Sequence, residues 1–140
     1  RKFMPFSEMS VLSEEFAQCV AHQTDKIVFI TDREKVIAAA GDGLKGIVGK
    51  EISHSLERIL DDRDESLPLA ERSRFIPVVE GMDGADEVKK VEQVRQMIRS
   101  NGQIIGSIII QSKDPKYKVG EFEKKVAMVA AEFLGKQITI

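Results

Sequence analysis

A chain of 140 residues with 42% hydrophobic and 31% charged residues suits one soluble globular domain and is too short to divide into two cores. A net charge of −2, with acids and bases interspersed, leaves no broad positive field for a phosphate backbone, so this domain alone is not expected to bind nucleic acid. No apolar run reaches membrane-spanning length, and a single cysteine, Cys19, excludes an internal disulfide and a Cys-based zinc site, with the cytoplasm as the expected compartment.

The chain opens Arg-Lys-Phe-Met-Pro, an extended segment that reads as the cut end of something longer, so a preceding part is expected. Ser7 is placed to cap a helix over residues 8–22, with Met9, Leu12, Phe16 and Cys19 at helical spacing and Ala17, Val20 and Ala21 widening the stripe. A continuous apolar strand over 26–31, a polar turn at 32–35 and a second strand over 36–40 make a hairpin. A glycine-punctuated loop over 41–49 follows. Ser53 then caps a helix carrying Leu56, Ile59 and Leu60, which runs out in the charged stretch 61–65. Residues 74–79 read as a short strand, and Pro77 sends it to a sheet edge because proline cannot donate to a ladder. Residues 81–90 form a charged loop with two more glycines.

The strongest signal lies at residues 91–112. Asn101-Gly102 is the pair that best tolerates positive φ at both centres of a type I′ turn, and it joins two runs of strand-forming residues. If Ser100 faces Gln103, then Ile98 faces Ile105, Arg95 faces Ile108 and Val94 faces Ile109. One face then carries Val94, Ile98, Ile105 and Ile109, and the other Gln93, Arg95, Met97, Ile104, Ile108 and Ile110. With both faces covered, the second strand of this hairpin is central. The last helix, over 121–137, has Phe122, Val126, Val129 and Phe133 on one stripe and Ala127, Ala131, Leu134 and Ile138 on a neighbouring arc. A helix lying on a sheet needs only one such stripe. The excess predicts a symmetric homodimer or higher homo-oligomer through the terminal helices. The fold class is α+β: an antiparallel sheet of about five strands with the terminal helices packed on one face.

Few motifs carry chemistry. Gly41-Asp-Gly43-Leu-Lys-Gly46 has dinucleotide-loop spacing, but no helix begins inside the glycines to meet a pyrophosphate, so a plain loop is the better reading. Cys19 and His22 could pair as nucleophile and base, yet Cys19 lies on the stripe with Leu12 and Phe16, where a core thiol is expected. His54 lacks the partners a metal site needs, and the acids at 61–65, Asp83, Asp86 and Glu87 do not match an EF-hand. Arg95 is either a solvated residue or the anchor for an anion in a cavity.

The stretches Lys26-Ile-Val-Phe-Ile-Thr-Asp-Arg, Gly49-Lys-Glu-Ile-Ser-His-Ser-Leu-Glu-Arg, Ser100-Asn-Gly-Gln-Ile-Ile-Gly-Ser-Ile-Ile-Ile-Gln-Ser-Lys-Asp and Glu123-Lys-Lys-Val-Ala-Met-Val-Ala-Ala-Glu-Phe-Leu-Gly-Lys-Gln resemble the C-terminal GAF domains of the stage V sporulation protein T family, AbrB-type transcription regulators of spore-forming bacteria. The specific part is the Asn-Gly hairpin ending in Ser-Lys-Asp followed by the Ala-Ala-Glu-Phe-Leu helix. The resemblance implies a GAF-like fold and a regulatory role beside an N-terminal swapped-hairpin DNA-binding domain absent from this chain. The signature of nucleotide-binding GAF domains is missing, as are the several cysteines of GAF-like methionine sulfoxide reductases, so neither activity is implied. The resulting expectation is a sensing and oligomerising module without a cofactor. In it Arg95 binds a small anionic metabolite, with Gln93 and Met97 beside it, and occupancy orders the covering segment. The alternatives are a dimerisation block without a ligand and a small enzyme using Cys19.

Overall fold

A computed structural model describes residues 4–5, 9–41, 44, 46–61, 75–81, 91–114 and 116–139. The elements run β1 (Met4–Pro5), α1 (Ser10–Thr24), β2 (Ile27–Asp32), β3 (Val36–Ala40), α2 (His54–Asp61), β4 (Gln93–Ser100), β5 (Gln103–Gln111), α3 (Glu121–Gln137) and β6 (Ile138–Thr139). A four-stranded antiparallel sheet in the order β3-β2-β5-β4 is the centre of the domain, with β5 inside as its continuous apolar pattern requires. β1 and β6 form a separate parallel pair, which brings the chain ahead of α1 beside the segment that follows α3. The main sheet thus has four strands against the expected five. Residues 75–79 are not a strand: Pro77 lacks the N–H that a ladder needs, and residue 74 lies outside the described residues.

The hairpin turn forms as read, with Asn101 at φ 52° and Gly102 at φ 79°. The register beyond it does not. Ser100 faces Gln103, but Arg99 faces Ile104 and Ile98 faces Gly106, so β5 carries one extra residue, Ile105. This bulge slips all later pairs by one and exchanges the faces of β5. Arg95 therefore faces Ile109 instead of Ile108, and Val94 faces Ile110. Ile108 and Ile110 turn toward the terminal helices, whereas Ile109 turns to the opposite core.

That helical core joins Val28, Ile30, Ala38, Ile98, Ile108 and Ile110 to Ala17 and Val20 of α1 and Ala127, Ala130 and Leu134 of α3. Both helices approach through small residues. On α3 the alanine and leucine arc is the buried one, and Gly135 lies so close to β4 that an added Cβ would stand 2.1 Å from the Arg99 carbonyl oxygen. On α1 the buried line is Ser13, Ala17, Val20 and Thr24. That rotation overturns the core-thiol expectation: Cys19 is exposed, because the small residues face the sheet and the stripe of Leu12, Phe16 and Cys19 turns to the flank. The expected cap at Ser7 lies outside the described residues. α1 instead begins after Met9, without a side-chain cap, and ends two residues later than expected.

The second core lies on the other face. Phe29, Val36 and Ile109 pack there against Leu56 and Leu60 of α2, with Ile47, Ile52, Val78 and Val79 closing it. Ser53 caps α2 as expected, its Oγ accepting from Leu56 N at 3.1 Å.

Candidate functional site

Gln93, Arg95 and Met97 are alternate residues of the edge strand β4, so all three share the face that carries the second core. The register extends each into a row across the sheet: Gln93 with Gln111 and Ile27, Arg95 with Ile109 and Phe29, and Met97 with Ser107 and Thr31. A polar side chain stands in every row. Thr31 Oγ1 and Ser107 Oγ, both fully buried, share a hydrogen bond of 2.7 Å, which meets the cost of placing hydroxyls beneath the second core.

Residues 75–81 lie over this face as a strap, held largely by side chains. Ser53 donates from Oγ to Pro77 O at 2.6 Å and from its backbone N to Val78 O at 2.7 Å. Glu80 accepts from the His54 backbone N at 2.8 Å, placing a carboxylate at the start of α2 where the helix dipole favours it. A further tie is Gln93, which is only 7% exposed. Its Oε1 accepts from Ile76 N at 3.2 Å, while its Nε2 donates to Ile76 O at 2.8 Å and to Gln111 Oε1 at 3.0 Å. The carboxamide thus grips Ile76 much as a neighbouring strand would.

Arg95 is half-buried and donates from Nη1 to the same Gln93 Oε1 at 2.6 Å. Burial pushes its pKa down, yet a guanidinium starts so high that it stays charged near neutral pH. The structure brings the three sequence-selected residues onto one face, with Gln93 engaged to the strap. At the opposite end of the sheet, Arg33 ties the β2–β3 turn to Leu60 O, to Ile104 O at 3.0 Å and to the Asp61 carboxylate. The tie from Ser53 to Pro77, the Thr31–Ser107 pair and the Arg33 contacts escape sequence reasoning. Their one signal is polar residues at inward positions of apolar strands and at a helix cap. Among the described residues no His, Cys, Asp and Glu side chains cluster as metal ligands, and no helix is long and apolar enough to cross a membrane.

A second surface lies on the helical layer. Phe122 is 56% exposed, Val129 67% and Phe133 41%, and these fall with half-buried Val126 on one stripe of α3. Phe133 stacks on Phe16 of α1 with ring centroids 5.3 Å apart, so the stripe continues across both helices.

Residues 8–139 match the family model described as stage V sporulation protein T C-terminal, transcription factor. Over 138 residues the chain is 33% identical to stage V sporulation protein T of Bacillus subtilis (strain 168), a span covering 99% of this chain and 73% of that protein. Among solved structures it resembles the cofactor-binding GAF domain of the nutrient sensor CodY from Clostridium difficile, with a TM-score of 0.61, 12% identity and coverage of 87% of this chain and 81% of that one. It also resembles the A. aeolicus nlh2 GAF domain in an inactive state, with a TM-score of 0.55, 15% identity and coverage of 91% and 83%. At such identities the likeness is one of fold, and the fold is that of GAF domains.

Proposed function

This chain belongs to the stage V sporulation protein T C-terminal family of transcription factors, and on that premise we propose that it is the sensing and oligomerising part of a cytoplasmic sporulation regulator. The observation that carries the proposal is the uncovered apolar stripe of Phe122, Val129 and Phe133, on the side of the sheet opposite the strap. A second copy applying the same stripe would bury it as a symmetric helical bundle. Sedimentation velocity tests this: a dimer or larger species is expected at micromolar concentration, and a monomer there would overturn it.

The sensing half is supported by Arg95, a half-buried cation among Phe29, Ile109 and Met97 under a strap. Such surroundings suit a small anion with an apolar body, because a guanidinium pairs with a carboxylate or phosphate better where water is scarce. The CodY domain is described as cofactor-binding and as part of a nutrient sensor, a precedent for this use of the fold. Isothermal titration with a panel of small carboxylates and inorganic phosphate is expected to find a binder that Arg95→Ala loses at least about tenfold. Equal affinities would leave assembly as the sole role. Cys19 has no part in this function, so Cys19→Ser is expected to change neither binding nor assembly.

A further inference from the structure

We infer that Gln93 is the joint through which Arg95 controls the strap, so that an anion drawing the guanidinium away loosens residues 75–81, the reverse of the ordering expected from the sequence. A carboxamide offers two N–H donors and an oxygen that accepts two bonds. The structure fills them with Ile76 N and Arg95 Nη1 on the oxygen, and Ile76 O and Gln111 Oε1 on the nitrogen. This arrangement fixes which way the amide points. Turned over, it would set donors against Arg95 and Ile76 N, and an oxygen against Ile76 O and Gln111 Oε1. Arg95, which can only donate, therefore holds the orientation in which Gln93 grips both polar groups of Ile76, and Gln111 meets the Gln93 nitrogen with its oxygen. The bond from Arg95 is short and charge-assisted, and it polarises the amide so that Nε2 donates more strongly.

An anion on Arg95 competes with Gln93 Oε1 for the guanidinium. The grip on Ile76 then weakens. Ser53 holds the neighbouring Pro77 O and Val78 O, so loosening at Ile76 passes to the start of α2. The ligand half of this inference rests on the reading of Arg95 as an anion anchor. The joint itself rests on contacts present without a ligand.

Amide hydrogen exchange at Ile76 and Ser53 tests both halves, with Phe29 and Ile109 in the sheet as controls for an intact fold. Gln93→Met, similar in length and without polar atoms, is expected to speed Ile76 exchange about tenfold, and Arg95→Met to speed it less. The double variant is expected to match Gln93→Met alone, since groups acting in one chain are not additive. Independent, additive effects, or an unchanged Ile76 in Gln93→Met, would overturn the joint. Sodium acetate and sodium sulfate, compared with sodium chloride at matched ionic strength, are then expected to speed Ile76 exchange in the parent and not in Gln93→Met. Binding by calorimetry without any change at Ile76 would overturn the coupling. No binding at all would remove the anion reading, while the variant cycle would still decide the joint.

Discussion

At the scale of single residues, two glycines and a serine set the geometry that the rest depends on. An added Cβ on Gly135 would lie 2.1 Å from the Arg99 carbonyl oxygen, and one on Gly106 would lie 2.0 Å from the Thr31 carbonyl oxygen. Gly135 is helical, so alanine there gains up to about 1 kcal/mol of helix propensity. The obstacle is backbone, which cannot rotate aside, and overpacking of this kind costs about 1–3 kcal/mol. Gly135→Ala is therefore expected to lower stability in urea unfolding despite its better propensity. A stabilised variant would mean that α3 does not sit this close to β4. Ser53 combines a helix cap with a tie to Pro77 O, so Ser53→Ala removes a cap worth about 1 kcal/mol and leaves a carbonyl oxygen without its donor. A loss of about 2 kcal/mol is expected by the same measurement. The cap was legible from Ser53 ahead of an apolar helical pattern. Its second bond was not, because the strap reaches Ser53 across 24 residues of sequence with no local pattern to announce it.

At the scale of elements, local signals held and long-range ones slipped. The Asn101-Gly102 turn, the β2–β3 hairpin and the three main helices follow from residues a few positions apart. The bulge at Ile105 does not, since a turn sets register only until an extra residue intervenes. Gln93, Arg95 and Met97 share one face as expected because they lie on β4, the strand without the extra residue. On α1 the spacing places Met9, Ala17 and Val20 in the core, where they lie, but it does not fix the rotation finely enough for Cys19, which is exposed because Ser13, Ala17 and Val20 form the buried line. The connector between β5 and α3 shows a different kind of tie. Glu92 accepts from Val119 N at 2.9 Å and pairs with Lys118, while Glu123 reaches back to Gly120 N at 2.6 Å as half of a capping box. Donation from the Val119 backbone holds the Glu92 carboxyl below the ordinary carboxylate range. A carboxylate depressed by folding adds stability above its unfolded pKa and loses it as pH falls through the folded value. Glu92→Gln is thus expected to destabilise the domain near neutral pH and to flatten its loss of stability between about pH 5 and pH 3, followed by thermal unfolding. An acid limb as steep as the parent's would remove Glu92 from the account.

At the scale of the whole molecule, the two faces of the sheet do different work. The strap face closes on itself through Val78, Val79, Leu56 and Leu60. The helical face leaves its largest apolar side chains outside, and a partner is the simplest cover for them. The pairing of Phe16 with Phe133 places the proposed seam between α1 and α3, so the position of a new charge should matter more than its exposure. Val129 and Val11 are 67% and 69% exposed, nearly equal, yet only Val129 lies on the stripe with Phe133. Val11 sits five residues before Phe16, about 140° round α1 from it. Val129→Glu would bury a carboxylate between two copies, a penalty of several kcal/mol per ion that a symmetric interface incurs twice. The variant is expected to sediment as a folded monomer, while Val11→Glu keeps the parent's assembly. Equal behaviour of the two variants would place the interface elsewhere and remove the main support for this domain as the assembling part of its regulator.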